Sequence, residues 1–111
     1  MDNNNLTDSI KRIVIDYYRQ PQFQDRHSSL AFYRFYDSYI KEVDVDVESK
    51  IVIITLHRKS KWGSKMGQMV GRKGKYILPL QTLIQEEYGE EWKVILEDEN
   101  WKKLEYWKDR V

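Results

Sequence analysis

The chain has no cysteine, which removes disulfide staples, thiolate metal sites and a cysteine nucleophile together. Prolines number two and glycines five in 111 residues. No apolar run approaches the roughly 20 residues that cross a bilayer, and the opening MDNNNLTDS lacks the basic-then-apolar pattern of a secretory leader. These absences set the expectation of a soluble, cytoplasmic protein with no membrane partner. Nor is there an excess of either charge: 19 basic residues stand against 18 acidic ones, a formal net charge of +1, with 41% hydrophobic residues. That balance excludes a histone-like chain and a disordered acidic or basic tail. The length fits one domain with a modest core.

A further absence is local. Between Lys50 and Gln85 there is no carboxylate, although Lys50, Arg58, Lys59, Lys61, Lys65, Arg72, Lys73 and Lys75 all lie there. Acids crowd the flanks, at Asp37 to Glu48 and again at Glu86 to Glu99. The middle third is therefore a local cation able to attract a polyanion despite the neutral total. Three of the five glycines, Gly67, Gly71 and Gly74, sit inside this block around Arg72 and Lys73. Glycine permits positive φ and close backbone approach, so the stretch reads either as a tight structural turn or as a loop that holds a phosphate.

Periodicity gives the coarse order of elements. Thr7 is placed to cap a helix with Ile10, Ile13, Val14 and Tyr17 on one face, ending near Pro21. Phe32, Phe35, Tyr36, Tyr39 and Ile40 recur at helical spacing and predict a second helix, with a strand as the rival because aromatics favour both. Val43, Val45 and Val47 alternate with acids as a half-buried strand, and the β-branched run from Ile51 to Arg58 pairs back on it as a hairpin. Lys65 to Val70 is a short helix candidate ending at Gly71. Leu80, Leu83, Ile84 and Tyr88 form the face of another, closed by Gly89. Trp92, Val94 and Leu96 alternate as a third strand. Asn100 to Arg110 reads as a terminal helix with Trp101, Leu104 and Lys108 along one side.

This order, with Gly67-Gln68-Met69-Val70-Gly71-Arg72-Lys73-Gly74 at its centre followed by Ile77, Leu80 and Leu83, resembles the type II KH domain of a small-subunit ribosomal protein and several bacterial RNA-binding factors. The resemblance covers roughly residues 29 to 98. It implies an α+β fold, a three-stranded sheet with helices packed on one face. Residues 1–28 would be an N-terminal helical extension and 99–111 a C-terminal helix. It also implies a ribosome-associated setting and a ligand, single-stranded RNA or else single-stranded DNA, whose backbone is clamped by the Gly-x-x-Gly loop. Gly71 and Gly74 would admit the phosphodiester, Arg72, Lys73 and Lys75 would pair with it, and Met69, Val70 and Ile77 would wall an apolar groove while serving mainly in the core.

Departures from the family pattern are visible. The connection His57 to Lys65 is long and sets Arg58, Lys59, Lys61 and Lys65 around Trp62, and Met66 stands where a proline often precedes Gly67. An aromatic among cations either stacks on a base, which contributes about 1 to 3 kcal/mol, or folds back over the sheet. Gln68 and Lys65 complete the candidate binding set. Pro79 disfavours helical geometry at Leu78 and predicts a late start for the helix after the loop. No cofactor, metal or catalysis is expected. His27 and His57 lack triad partners, and Asp44, Asp46 and Glu48, which could in principle hold magnesium as in a nuclease, are more simply a solvent face. The competing reading is a protein-interaction module on the same fold, using the aromatic N-terminal or C-terminal helix.

Overall fold

A computed structural model describes residues 3–27, 32–57 and 66–98. The elements are α1 (Asn3–Tyr17), β1 (Gln24–His27), β2 (Phe32–Phe35), a 3-10 turn (Tyr36–Tyr39), β3 (Ile40–Asp46), β4 (Ile51–Leu56), α2 (Met66–Val70), a 3-10 turn (Arg72–Gly74), α3 (Ile77–Tyr88) and β5 (Lys93–Asp98). The class is α+β. The expected C-terminal helix at 99–111 lies outside the described residues.

In the main sheet the strand order is β3-β4-β5, with β4 in the centre. β3 runs antiparallel to β4, Val43 opposite Ile54 and Val45 opposite Val52, and the register shifts at Lys41. β5 runs parallel to β4, placing Val94 beside Val52 and Leu96 beside Ile54. Alternation then sends Val43, Val45, Val52, Ile54, Val94 and Leu96 to one face. Val43, Val52, Ile54, Val94 and Leu96 belong to a core shared with Ile10 and Val14 of α1, Met69 and Val70 of α2, and Ile77, Leu80 and Ile84 of α3, and half-buried Val45 packs against it. Each fully buried Leu, Ile or Val contributes about 1.5 to 3 kcal/mol, and the helices are held to the sheet mainly by this burial. The opposite face carries Glu42, Asp44 and Asp46 on β3, all exposed.

Two local devices set the strands. Asp46 accepts the Ser49 amide through Oδ1 at 3.1 Å, and Lys50 takes a left-handed φ of 58°, so the chain reverses between β3 and β4. On the far side, Gln81 Oε1 of α3 accepts the Val94 amide at 3.0 Å, while Gln85 Nε2 donates to the Trp92 carbonyl at 2.9 Å. The glutamines of α3 thus fix where β5 begins.

Four sequence expectations are corrected. The predicted helix over Phe32–Ile40 is instead β2, a 3-10 turn and the start of β3. Its aromatics satisfy strand and helix alike, and Tyr36 and Tyr39, three residues apart in the 3-10 turn, are buried. Thr7 does not cap α1 but lies within it. Pro79 does not delay α3, because it sits in the first turn, where no intrahelical amide is required. Leu83 is not on the buried face: it is 44% exposed, whereas Leu80 and Ile84 are 0%. Tyr17, Tyr18 and Phe23 join the common core, so packing runs straight across the expected boundary at residue 28.

Candidate nucleic-acid interface

The glycine stretch forms a two-stage turn. α2 closes when the Gly71 amide donates to the Gly67 carbonyl at 3.0 Å. Gly71 then takes φ 79° and ψ 160°, a conformation reserved for glycine. A 3-10 turn follows, with the amides of Gly74 and Lys75 donating to the carbonyls of Gly71 and Arg72 at 3.0 and 3.1 Å. The Tyr76 amide returns to the Val70 carbonyl at 3.0 Å, closing the loop on the end of α2. Among the described residues, no acceptor takes the amides of Arg72 and Lys73. Two adjacent N–H donors, each beneath an exposed cationic side chain, therefore stand open between two glycines.

Lys73 adopts φ 56° and ψ 29°, left-handed backbone inside this turn. For a residue with a Cβ that costs about 1 to 2 kcal/mol, and the turn holds it nonetheless. Gly74 is left-handed too, at φ 78°, and buried. Of the other candidate residues, Lys75 and Gln68 are exposed, and Lys75 Nζ lies 5.7 Å from the centre of the Tyr76 ring. Arg58, Lys61, Trp62 and Lys65 lie outside the described residues. The apolar wall proposed for the bases is not open: Met69, Val70 and Ile77 are 0, 3 and 3% exposed. Their side chains belong to the shared core, so they shape the loop from inside.

What supports the loop was not visible in the motif. At the end of α1, Tyr18 donates its buried hydroxyl to the Met69 carbonyl at 2.9 Å, and Tyr17 donates to the Tyr76 carbonyl. These acceptors bracket the turn, one at the last turn of α2 and one just before α3. The Phe23 ring meets Tyr17, Tyr18, Tyr36 and Tyr76 at 4.9 to 5.6 Å. Tyr76 in turn lies under Gly71, where an added Cβ would fall 2.7 Å from its ring and 3.0 Å from its backbone nitrogen. Burial raises the Tyr17 phenol to about 12, with Tyr76 adding to the effect, and holds Tyr18 well above the ordinary value. Both are neutral donors at physiological pH.

The glycines therefore differ in what they tolerate. Gly71→Ala is expected to lower stability by about 1 to 3 kcal/mol for the backbone alone, with the Tyr76 clash in addition. Gly67 lies in α2 with nothing within 4 Å of an added Cβ. Gly67→Ala is expected to stabilise by up to about 1 kcal/mol through helix propensity. Urea unfolding of the two variants distinguishes them, and equal effects would contradict this loop geometry.

Asp44 and Asp46 share the outer sheet face, and Asp46 is engaged with the Ser49 amide. Among the described residues, no three acidic or histidine side chains are grouped to hold a metal ion, and no helix is long and apolar enough to cross a membrane. No known family model, curated protein or solved structure matches the chain.

Proposed function

We propose that the chain binds single-stranded nucleic acid, RNA foremost, through the Gly71–Gly74 turn of a type II KH-like domain. The observation that carries this reading is the pair of open amides at Arg72 and Lys73, flanked by glycines and overlaid by cations. A phosphate approaching there meets two N–H donors and two positive charges with no Cβ from Gly71 or Gly74 in the way. The element order from β3 to β5 and the parallel β4–β5 pair agree with the resemblance. Confinement of the loop by Tyr17 and Tyr18 lowers the entropy lost when a strand is gripped.

A short turn with two open amides holds few phosphates, which supports weak binding, and the resemblance points to a single strand. Neutralising about three to four phosphates gives a log-log salt slope of about 2 to 3 on single strands. Fluorescence anisotropy with a labelled mixed-sequence RNA at low salt is expected to show binding with that slope, and duplex is expected to bind less well. Absence of binding to any single strand would favour the protein-interaction reading. The enclosure of Met69, Val70 and Ile77 is the observation on its side, because it leaves these residues no apolar surface for bases.

A further inference from the structure

We propose that the seam between α1 and α3 is a docking groove for a basic amphipathic helix of a partner protein. The two helices run antiparallel. Tyr17 at the end of α1 meets Tyr76 just before α3, and Asp8 near the start of α1 lines the same depression as Tyr88 at the end of α3. Two depressions of about 310 and 490 Å³ lie along this seam and share Ile13, Asp16 and Glu87, so they form one continuous trough. It follows α1 from Asn5 to Tyr17, about 18 Å at 1.5 Å per residue, and reaches Gln20 beyond the helix, room for a helix of about three to four turns.

The floor is apolar. Leu83, at 44% exposure the one large exposed hydrophobic among the described residues, lies in it with half-buried Ile13 and Tyr88. The rim is acidic, formed by Asp8, Asp16 and Glu87, all exposed. Its one cation, Arg12, stands one helical turn from both Asp8 and Asp16, so it does not reverse the sign of the rim. An apolar strip bordered by carboxylates matches a helix whose Leu or aromatic side chains recur at i, i+3 and i+4 between lysines and arginines. The same charges repel RNA and anionic lipid. A second copy of this chain is disfavoured as well, because a two-fold contact through the groove would set its carboxylates against their own copies. The groove is separate from the glycine turn, whose charge is of the opposite sign, and stands whether or not the nucleic-acid reading does.

The test uses the full chain and a synthetic helical peptide of about four turns with Leu at i, i+3 and i+4 and Lys elsewhere. A second peptide has Glu in place of every Lys. The lysine peptide is expected to shift the methyl resonances of Ile13 and Leu83 and to bind at least tenfold more tightly than the glutamate peptide. Leu83→Glu, and separately Asp16→Lys with Glu87→Lys, are expected to weaken it at least tenfold with circular dichroism unchanged. Leu83→Met should retain it, as should Glu90→Lys in the exposed turn after α3, which lines neither depression. Binding indifferent to Leu83→Glu, or shifts confined to the outer sheet face at Glu42, Asp44 and Asp46, would overturn the proposal. So would a dimer of the peptide-free chain that Leu83→Glu dissociates, since the occupant would then be a second copy.

Discussion

Replacing Arg72 and Lys73 together by aspartate is expected to lower affinity for single-stranded RNA at least tenfold while leaving the fold unchanged. Both side chains are exposed, so the change in stability should stay within about 0.5 kcal/mol. Aspartate also tolerates the left-handed backbone of position 73 better than most residues. At the turn itself two attractions become two repulsions beside the open amides, and a tenfold loss requires only about 1.4 kcal/mol. Lys11→Asp with Arg12→Asp makes the same change in net charge on α1 and serves as the control. Equal losses from the two double variants would mean that diffuse charge holds the ligand. No loss from the first would leave Gly71 and Gly74 as turn formers and nothing more.

The second large effect is on stability. Tyr18 is 0% exposed and packs against Tyr17 and Phe23 at ring distances of 5.0 and 5.2 Å. Tyr18→Ala is expected to destabilise by about 3 to 5 kcal/mol, as for other buried aromatics cut to alanine, a large part of the 5 to 15 kcal/mol typical of a domain. Tyr18→Phe keeps the ring but leaves the Met69 carbonyl without its donor, costing about 1 to 3 kcal/mol. The phenols also bring an alkaline limit. With Tyr17 pushed up to about 12 by burial, and Tyr18 held high for the same reason, the folded chain keeps protons that the unfolded chain releases near 10. Their stabilisation is complete below pH 10 and is lost as pH rises toward 12 and beyond. Urea midpoints measured from pH 8 to 12 should fall steeply above 10 in the parent and less steeply in Tyr17→Phe with Tyr18→Phe. Parallel curves would show that neither phenol is shielded.

Sequence and structure part company where contacts are long-range. The α1 face of Ile10, Val14 and Tyr17, the β3–β4 hairpin and the short α2 before Gly71 were legible, because each repeats its period within a few residues. The segment from Phe32 to Ile40 was not, since aromatic residues fit a strand, a 3-10 turn or a helix, and only the partners at Phe23 and Tyr18 decide among them. The Phe23 carbonyl accepts the Tyr36 amide at 2.9 Å and the Tyr18 carbonyl accepts the Asp37 amide at 3.3 Å, which anchors that segment to the end of α1. At the site, Gly71, Arg72, Lys73 and Gly74 were readable from spacing. The supports were not: Tyr18 meets Met69 across 51 residues and Tyr17 meets Tyr76 across 59, and no local pattern encodes a pairing of that range. The faint signal was the density of tyrosine and phenylalanine between Tyr17 and Tyr39, more rings than one helix face needs.

The parallel pairing of β4 with β5 also bears on the order of events as the chain is made. β3 and β4 are joined by a short turn and can close within microseconds of leaving the ribosome, but α2, the glycine turn and α3 belong to the crossover that a parallel neighbour requires. Until β5 emerges, Ile84 and Leu80 have only part of the sheet to pack against, and Gln81 lacks the Val94 amide. Thr55 of β4 and Glu97 of β5 are 42 residues apart, several seconds of synthesis at about 5 to 20 residues per second. The nascent chain therefore carries Arg72 and Lys73 through about the last 24 of those residues, about 1 to 5 seconds at that rate, before α3 has the whole sheet to pack against. On the proposed reading, the binding turn reaches its final setting only with the arrival of the third strand.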